Sequence, residues 1–194
     1  DYQQELQIQV RKEDQSRLVF LKPDQINYLE FDTKNGKFTI EKTVDGWNIT
    51  SPFKDAANNA TVDQFIQALT TEKSKDVVVG PEQKEVDLSN YGLDRPLGTI
   101  VLKDNLGDSR AISVGTVKNY QGDAYVRVDK RNEVSVSSST WFSKIEKRVG
   151  DFRDLRLLRF PATQVESFKI SKGKEAFTIS SKEGTWISNE HPDM

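Results

Sequence analysis

After residue 19, apolar and polar side chains alternate mostly with a period of two, the spacing of strands that bury one face. Ile26, Tyr28 and the Leu29/Phe31 pair mark a first strand. Phe38 and Ile40, alternating with Thr39 and Glu41, mark a second, and Asn35-Gly36 supplies the turn between them. Asp45-Gly46 is another turn pair and Trp47-Asn48-Ile49 opens a third strand, so the region is predicted to be a three-stranded meander. The period then changes. Thr61 and Gln64 have the spacing of a capping box, and Val62, Phe65, Ile66 and Leu69 fall at i, i+3, i+4 and i+7, one apolar face of a helix packed on a sheet. Asp63 near the start and Lys73 near the end complement its dipole.

Val77-Val78-Val79 reads as a short buried strand stopped by Gly80-Pro81. Leu88 to Leu93 reads as a tight turn or a single helical turn, which Pro96 keeps from continuing. Four more strands are predicted: Thr99 to Lys103, Arg110 to Val114, Ala124 to Val128 and Glu133 to Val136. A second helix is predicted from Ser139 to Val149, with Trp141, Phe142, Ile145 and Val149 on one face and Gly150 ending it. The fold class is therefore α+β, with strand-rich antiparallel meanders and two helices.

Residues 164–186 restate residues 25–47 at a fixed offset of 139. Gln25-Ile26 returns as Gln164-Val165, Leu29 as Phe168, Phe31 as Ile170, Phe38 as Phe177, Ile40 as Ile179 and Trp47 as Trp186. A slip of one residue would turn every side chain to the other face, so apolar positions held in phase point to a duplicated unit. The predicted organisation is a linker or stalk over 1–19, a first α+β repeat unit over 20–160, and the start of a second, truncated repeat of three strands over 161–194. Residues 164–188 are expected to form strands packed on or beside the first unit, because their apolar pattern would otherwise be exposed.

Composition narrows the possibilities. With 35% hydrophobic and 30% charged residues the chain of 194 is globular, and no run of 18 apolar residues is present to span a bilayer. A net charge of −2 gives no electrostatic reason to bind nucleic acid or anionic lipid. Cysteine is absent, which removes disulfides, thiolate nucleophiles and sulfur-ligated metals. Residues 1–17 are rich in Gln and charge, with Leu6, Ile8 and Val10 as their only aliphatics, the composition of a stalk. A stalk without an initiator Met leads one to expect a membrane anchor or signal segment ahead of it.

The parts of an active site are missing. His191 is the single histidine and lies in a polar tail, so a triad, a His-based dyad and a zinc site are not expected. Asp151 with Asp154, and Asp55 with Asp63, are the carboxylate pairs a hydrolase would need, yet each acid reads more plainly as a cap, a surface charge or an Arg partner. Asp104 to Asp108 lacks the spacing and terminal Glu of a calcium loop and reads as a hairpin turn. No glycine-rich phosphate loop occurs. Neither catalysis nor a cofactor or metal is expected. Two features remain as candidate contact sites. Arg148, Arg153, Arg156 and Arg159 are interleaved with Phe152, Leu155, Leu157 and Leu158 and either brace a hinge through Asp151 and Asp154 or present guanidinium forks to a partner. Trp47 with Pro52 and Phe53 is either core or an aromatic platform for sugar.

Taken in order, Asp45-Gly46-Trp47-Asn48-Ile49, Asn90-Tyr91-Gly92-Leu93-Asp94-Arg95-Pro96, Ile112-Ser113-Val114-Gly115, Ala124-Tyr125-Val126-Arg127-Val128-Asp129 and Phe152-Arg153-Asp154-Leu155-Arg156 resemble domain-of-unknown-function family 4340 over roughly residues 20–160. Ala57-Asn58-Asn59 departs from the acidic or alanine-aspartate pair usual before the helix. The resemblance implies a bacterial envelope protein with an N-terminal membrane helix and an extracytoplasmic body, held on the periplasmic side of the inner membrane. It also implies protein partners in an ABC transport complex of the gliding-motility type, and it carries no catalytic residues over. The expected function is a non-catalytic accessory or scaffolding domain that acts by protein binding, with Arg153, Arg156, Arg159 and Trp47 as candidate contacts. The alternative is a glycan- or peptidoglycan-binding module built on Trp47.

Overall fold

The computed structural model describes residues 16–83 and 85–188. The stalk's first 15 residues, His191 and the extreme end of the expected second repeat lie outside them. The chain divides into two compact units, Asp1–Asp154 and Leu155–Met194.

The first unit is built on one antiparallel sheet. Its strands are β1 (Ile26–Thr33), β2 (Gly36–Thr43), β3 (Gly46–Ser51), β4 (Asp55–Ala56), β5 (Ser74–Val79), β6 (Gly98–Asp104), β7 (Ser109–Lys118), β8 (Ala124–Val128) and β9 (Val134–Ser137). They lie in the order β4-β3-β2-β1-β6-β7-β8-β9-β5. The predicted meander is its first part, with Leu29 opposite Ile40, Phe31 opposite Phe38 and Ile40 opposite Ile49. On its other side β1 pairs with β6, which sets Leu29 beside Leu102 and Phe31 beside Ile100. Period two therefore puts all these apolar residues on one face.

Two helices cover that face, α1 (Asn59–Thr70) and α2 (Thr140–Ile145). Val62, Phe65, Ile66 and Leu69 of α1, and Trp141 and Ile145 of α2, join the strand residues in a single buried core. Phe31 is its centre. Its ring stacks on Phe38 at 4.4 Å and meets Phe65 and Phe152 at 5.5 Å each. Burying a side chain of this size contributes about 1.5–3 kcal/mol, and each aromatic contact adds about 0.5–1.5 kcal/mol.

Several expectations need correction. Leu18, Val19 and Leu21 are buried in this core, and Leu18 N donates to Glu72 O at 3.1 Å. The folded unit therefore starts inside the segment expected to be linker. At its other end, the compact unit closes at Asp154 rather than at 160. Helix α1 begins at Asn59 because Asn58, not Thr61, is the N-cap: its side chain accepts from Thr61 N at 3.0 Å. An Asn there outcompetes the capping box further along. Strand β5 is an edge strand, so Val77 and Val78 are exposed and only Val79 is buried. Helix α2 stops at Ile145, and Val149–Phe152 forms a separate 3-10 turn that drives Phe152 into the core.

The second unit contains β10 (Ser167–Lys172), β11 (Glu175–Lys182) and β12 (Thr185–Ser188), an antiparallel sheet in that order. Phe168 lies opposite Ile179, Ile170 opposite Phe177, and Trp186 opposite Ser181. These are the pairings of the first meander, each displaced by 139.

Candidate functional site

Two of the motifs behind the family resemblance, Asn90–Pro96 and Ala124–Asp129, meet on the sheet face opposite the helices. Along β8, Ala124 and Val126 point into the main core, so Tyr125 points the other way. There its ring meets Tyr91 edge-on at 5.0 Å. Tyr91 ends the 3-10 turn Leu88–Tyr91, which Asp87 caps by accepting from Ser89 N at 3.0 Å. The bonds from Ser89 hold the exposed Asp87 carboxyl below its ordinary range. Gly92 follows with φ +64, a left-handed conformation that glycine adopts without strain. Leu93 then packs with Val79 and Val134 in a small second core. Gly115 completes the fit: a Cβ there would collide with the Tyr91 carbonyl.

The adjoining motif residues hold a turn. Arg127 donates from its guanidinium to the carbonyls of Lys130 and Arg131. It braces a loop in which Asp129 and Lys130 take positive φ. Asp129 Oδ1 accepts from Ala111 N at 2.8 Å. Tyr91, Gly92, Leu93, Gly115, Tyr125 and Arg127 thus serve packing and backbone geometry.

A second constellation closes the first unit. Asn58 N donates to Phe152 O at 2.8 Å and Asp154 N to Ala56 O at 3.0 Å, so residues 152–154 run beside the edge strand β4. Across this seam Arg153 donates to Asp55 Oδ2 from Nε and Nη2, at 2.8 and 2.7 Å. Its guanidinium lies 5.5 Å from the centre of the Phe53 ring. Asp151 accepts from Arg148 N at 2.8 Å, capping the 3-10 turn. Of the hinge pairings expected for the arginine run, the Arg153 bond goes to Asp55 instead.

Trp47 requires the clearest correction. It is 2% exposed, its backbone N–H donates to Asn59 Oδ1 at 2.7 Å and its indole N–H to Asp63 Oδ1 at 2.8 Å. A tryptophan enclosed beneath a helix has no face to lay against a sugar. Arg156 and Arg159 belong to the second unit, apart from Arg153. They sit in a strongly exposed stretch in which Leu155 is 79%, Leu157 95%, Leu158 64% and Phe160 49% accessible.

Of the acids considered for catalysis, Asp63 takes the Trp47 indole, Asp55 takes Arg153 and Asp151 takes the Arg148 backbone N–H. Asp104, in the stretch weighed as a calcium loop, accepts from Leu106 N and Asp108 N at 2.9 Å each on Oδ1, closing the β6–β7 hairpin. A network absent from the sequence reading joins the end of α1 to α2. Lys144 Nζ lies 2.6 Å from Glu72 Oε1 in an almost fully buried pair. Thr140 Oγ1 donates to the same oxygen at 2.8 Å, and Ser137 Oγ accepts from the Trp141 indole at 2.9 Å. Seventy-two residues separate Glu72 from Lys144, so no local signal announces the pair. Among the described residues, no group of three or more His, Cys, Asp or Glu side chains is placed to hold a metal ion, and no helix is long and apolar enough to cross a membrane.

A family model, described as Domain of unknown function (DUF4340), matches residues 47–194. The match starts at Trp47 and takes in the second meander, further along the chain than the resemblance over 20–160. No curated protein and no solved structure matches the chain.

Proposed function

The chain belongs to the DUF4340 family of domains of unknown function, and from that premise we propose that it is a non-catalytic accessory or scaffolding domain. In this reading it is the extracytoplasmic body of a membrane-anchored bacterial envelope protein and works beside an ABC-type transport complex by binding protein. The setting is what the family resemblance implies. The observation that carries binding is the stretch Leu155–Phe160, four large apolar side chains exposed within six residues and interleaved with Arg156 and Arg159. Apolar anchors next to guanidinium groups are the composition of protein contact sites, where aromatic residues and Arg are enriched and contribute most. The glycan-binding alternative loses its platform with the burial of Trp47.

The experiment is purification of the full-length protein from gently solubilised native membranes with a photo-crosslinking residue in place of Leu157. Cross-links from that position to ATPase or permease subunits are the expected result. Recovery of the protein alone, or with cell-wall fragments, overturns the reading.

A further inference from the structure

We propose that residues 16–21 form a releasable strap whose docking is coupled to helix α2 through Glu72, so that whatever acts on the chain ahead of Ser16 is felt in the helix layer over the core. The strap is tied to three consecutive residues, Glu72, Lys73 and Ser74. Arg17 and Lys73 face each other in a short antiparallel bridge. It is flanked by bonds from Leu18 N to Glu72 O at 3.1 Å and from Ser74 N to Ser16 O at 2.7 Å. The chain then buries Leu18, Val19 and Leu21 in the main core and leaves Phe20 61% exposed.

The same three residues also carry α2. Glu72 gives its backbone carbonyl to the strap and its carboxylate to the helix, where Oε1 accepts from Lys144 Nζ at 2.6 Å and from Thr140 Oγ1 at 2.8 Å. Ser137 Oγ donates to Lys73 O at 2.8 Å and accepts the Trp141 indole N–H at 2.9 Å. Releasing the strap frees the backbone groups that fix where the Glu72 carboxylate sits. A nearly buried ammonium that loses its carboxylate is left uncompensated, so each contact favours the other. What makes the strap the part that opens is the space beside it. A cleft of ≈ 460 Å³ is lined by Arg17, Leu18 and Phe20 of the strap and by Val77, Val128 and Ser135 of the sheet. A second, of ≈ 290 Å³, lies against Arg17 and residues 20–23. Atoms that border such space lack part of the packing that holds a close-packed interior, and segments of this kind open well below the free energy of global unfolding. The device lies within the first unit and does not depend on a transport partner.

The test locks the strap. The chain has no cysteine, so Arg17→Cys with Lys73→Cys introduces the only two thiols. A facing pair between two flanking bonds has a Cα separation of about 4.5 Å, which a disulfide can span. Amide exchange is followed in the full chain with this pair reduced and oxidised, which cancels any effect of the substitutions themselves. In the reduced form the strap and α2 amides should share one opening rate, faster than that of the central strands β1 and β6. Oxidation should slow both by the same factor, at least about tenfold, as expected for a cross-link that stabilises by more than 1.4 kcal/mol. Strap exchange as slow as that of β1 in the reduced form would show that it does not open on its own, and overturns the proposal. So does an α2 rate that follows β1 rather than the strap. Glu72→Met with Lys144→Met removes the pair without leaving a buried charge, and in that background oxidation should slow the strap alone. If that variant fails to fold, Ser137→Ala, which cuts the tie between Trp141 and Lys73 O, should separate the two rates in the same direction. A common rate that survives these substitutions overturns the role given to Glu72 and Lys73.

Discussion

The first and second meanders share a register and differ in what surrounds them. In both, alternation and a short turn decide which residues face each other, and these are local properties of about ten residues. Burial is not local. β1 is a central strand, paired with β2 on one side and β6 on the other, and its apolar face lies under α1 and Phe152. β10 is an edge strand of its own three-stranded sheet. Equal patterns thus give equal pairing, while the stability attached to each residue comes from distant parts of the chain.

The sharpest way to break the equivalence is to truncate the same position in both. Phe31→Ala removes a fully buried ring from four-way aromatic packing and should cost about 3–5 kcal/mol, enough to threaten the fold. Ile170→Ala, 139 residues on, should cost no more than about 1 kcal/mol, because the side chain is already half in water. Urea denaturation read by amide exchange in each unit separately measures both; similar losses would mean that Ile170 is buried in solution. The tryptophans repeat the contrast at smaller scale. Trp47→Phe deletes a hydrogen bond to the Asp63 carboxylate together with core volume and should cost about 2 kcal/mol. Trp186→Phe should stay within about 0.5 kcal/mol of the parent.

The same division explains what could be read from the sequence. The meander, the four later strands, the apolar face of α1 and the 139-residue correspondence of the strands all rest on periodicity, and each is present. The motif order pointed to Tyr91-Gly92-Leu93, Gly115 and Tyr125 without saying why they matter. Their reason is a contact between segments: the Tyr91 carbonyl leaves no room for a side chain at residue 115. Trp47 reads equally as platform or core until Asp63 and Asn59 are seen above it. The pairs Arg153–Asp55 and Lys144–Glu72 are tertiary through and through. In the candidate contact set, pattern alone joined Arg153 to Arg156 and Arg159, and the unit boundary at Asp154 parts them.

The smallest predicted effect lies on the open face of the first meander and has no counterpart in the second. Tyr28 Oη donates to Glu30 Oε2 at 2.6 Å, and Lys37 lies 2.9 Å from Glu30 Oε1. At the offset of 139 these positions are Ser167, Lys169 and Ala176, so the arrangement is confined to one copy of the pattern. Burial, and then the Glu30 carboxylate, push Tyr28 up to about 12. The bonds from Tyr28 and then Lys37 hold Glu30 below its usual range. The signs are opposite in pH. The Glu30 contribution is present above the ordinary glutamate range and is lost as pH falls through its depressed value; the Tyr28 contribution is present below 10.0 and is lost as pH rises toward about 12. Phenolate absorbance should therefore show a late component from Tyr28, which Tyr28→Phe should delete. Glu30→Gln should bring it back only part of the way, since burial, the largest single cause, remains. It should also flatten the loss of stability on acidification. A full return of Tyr28 to the ordinary value in Glu30→Gln would show that the carboxylate, not burial, dominates this face.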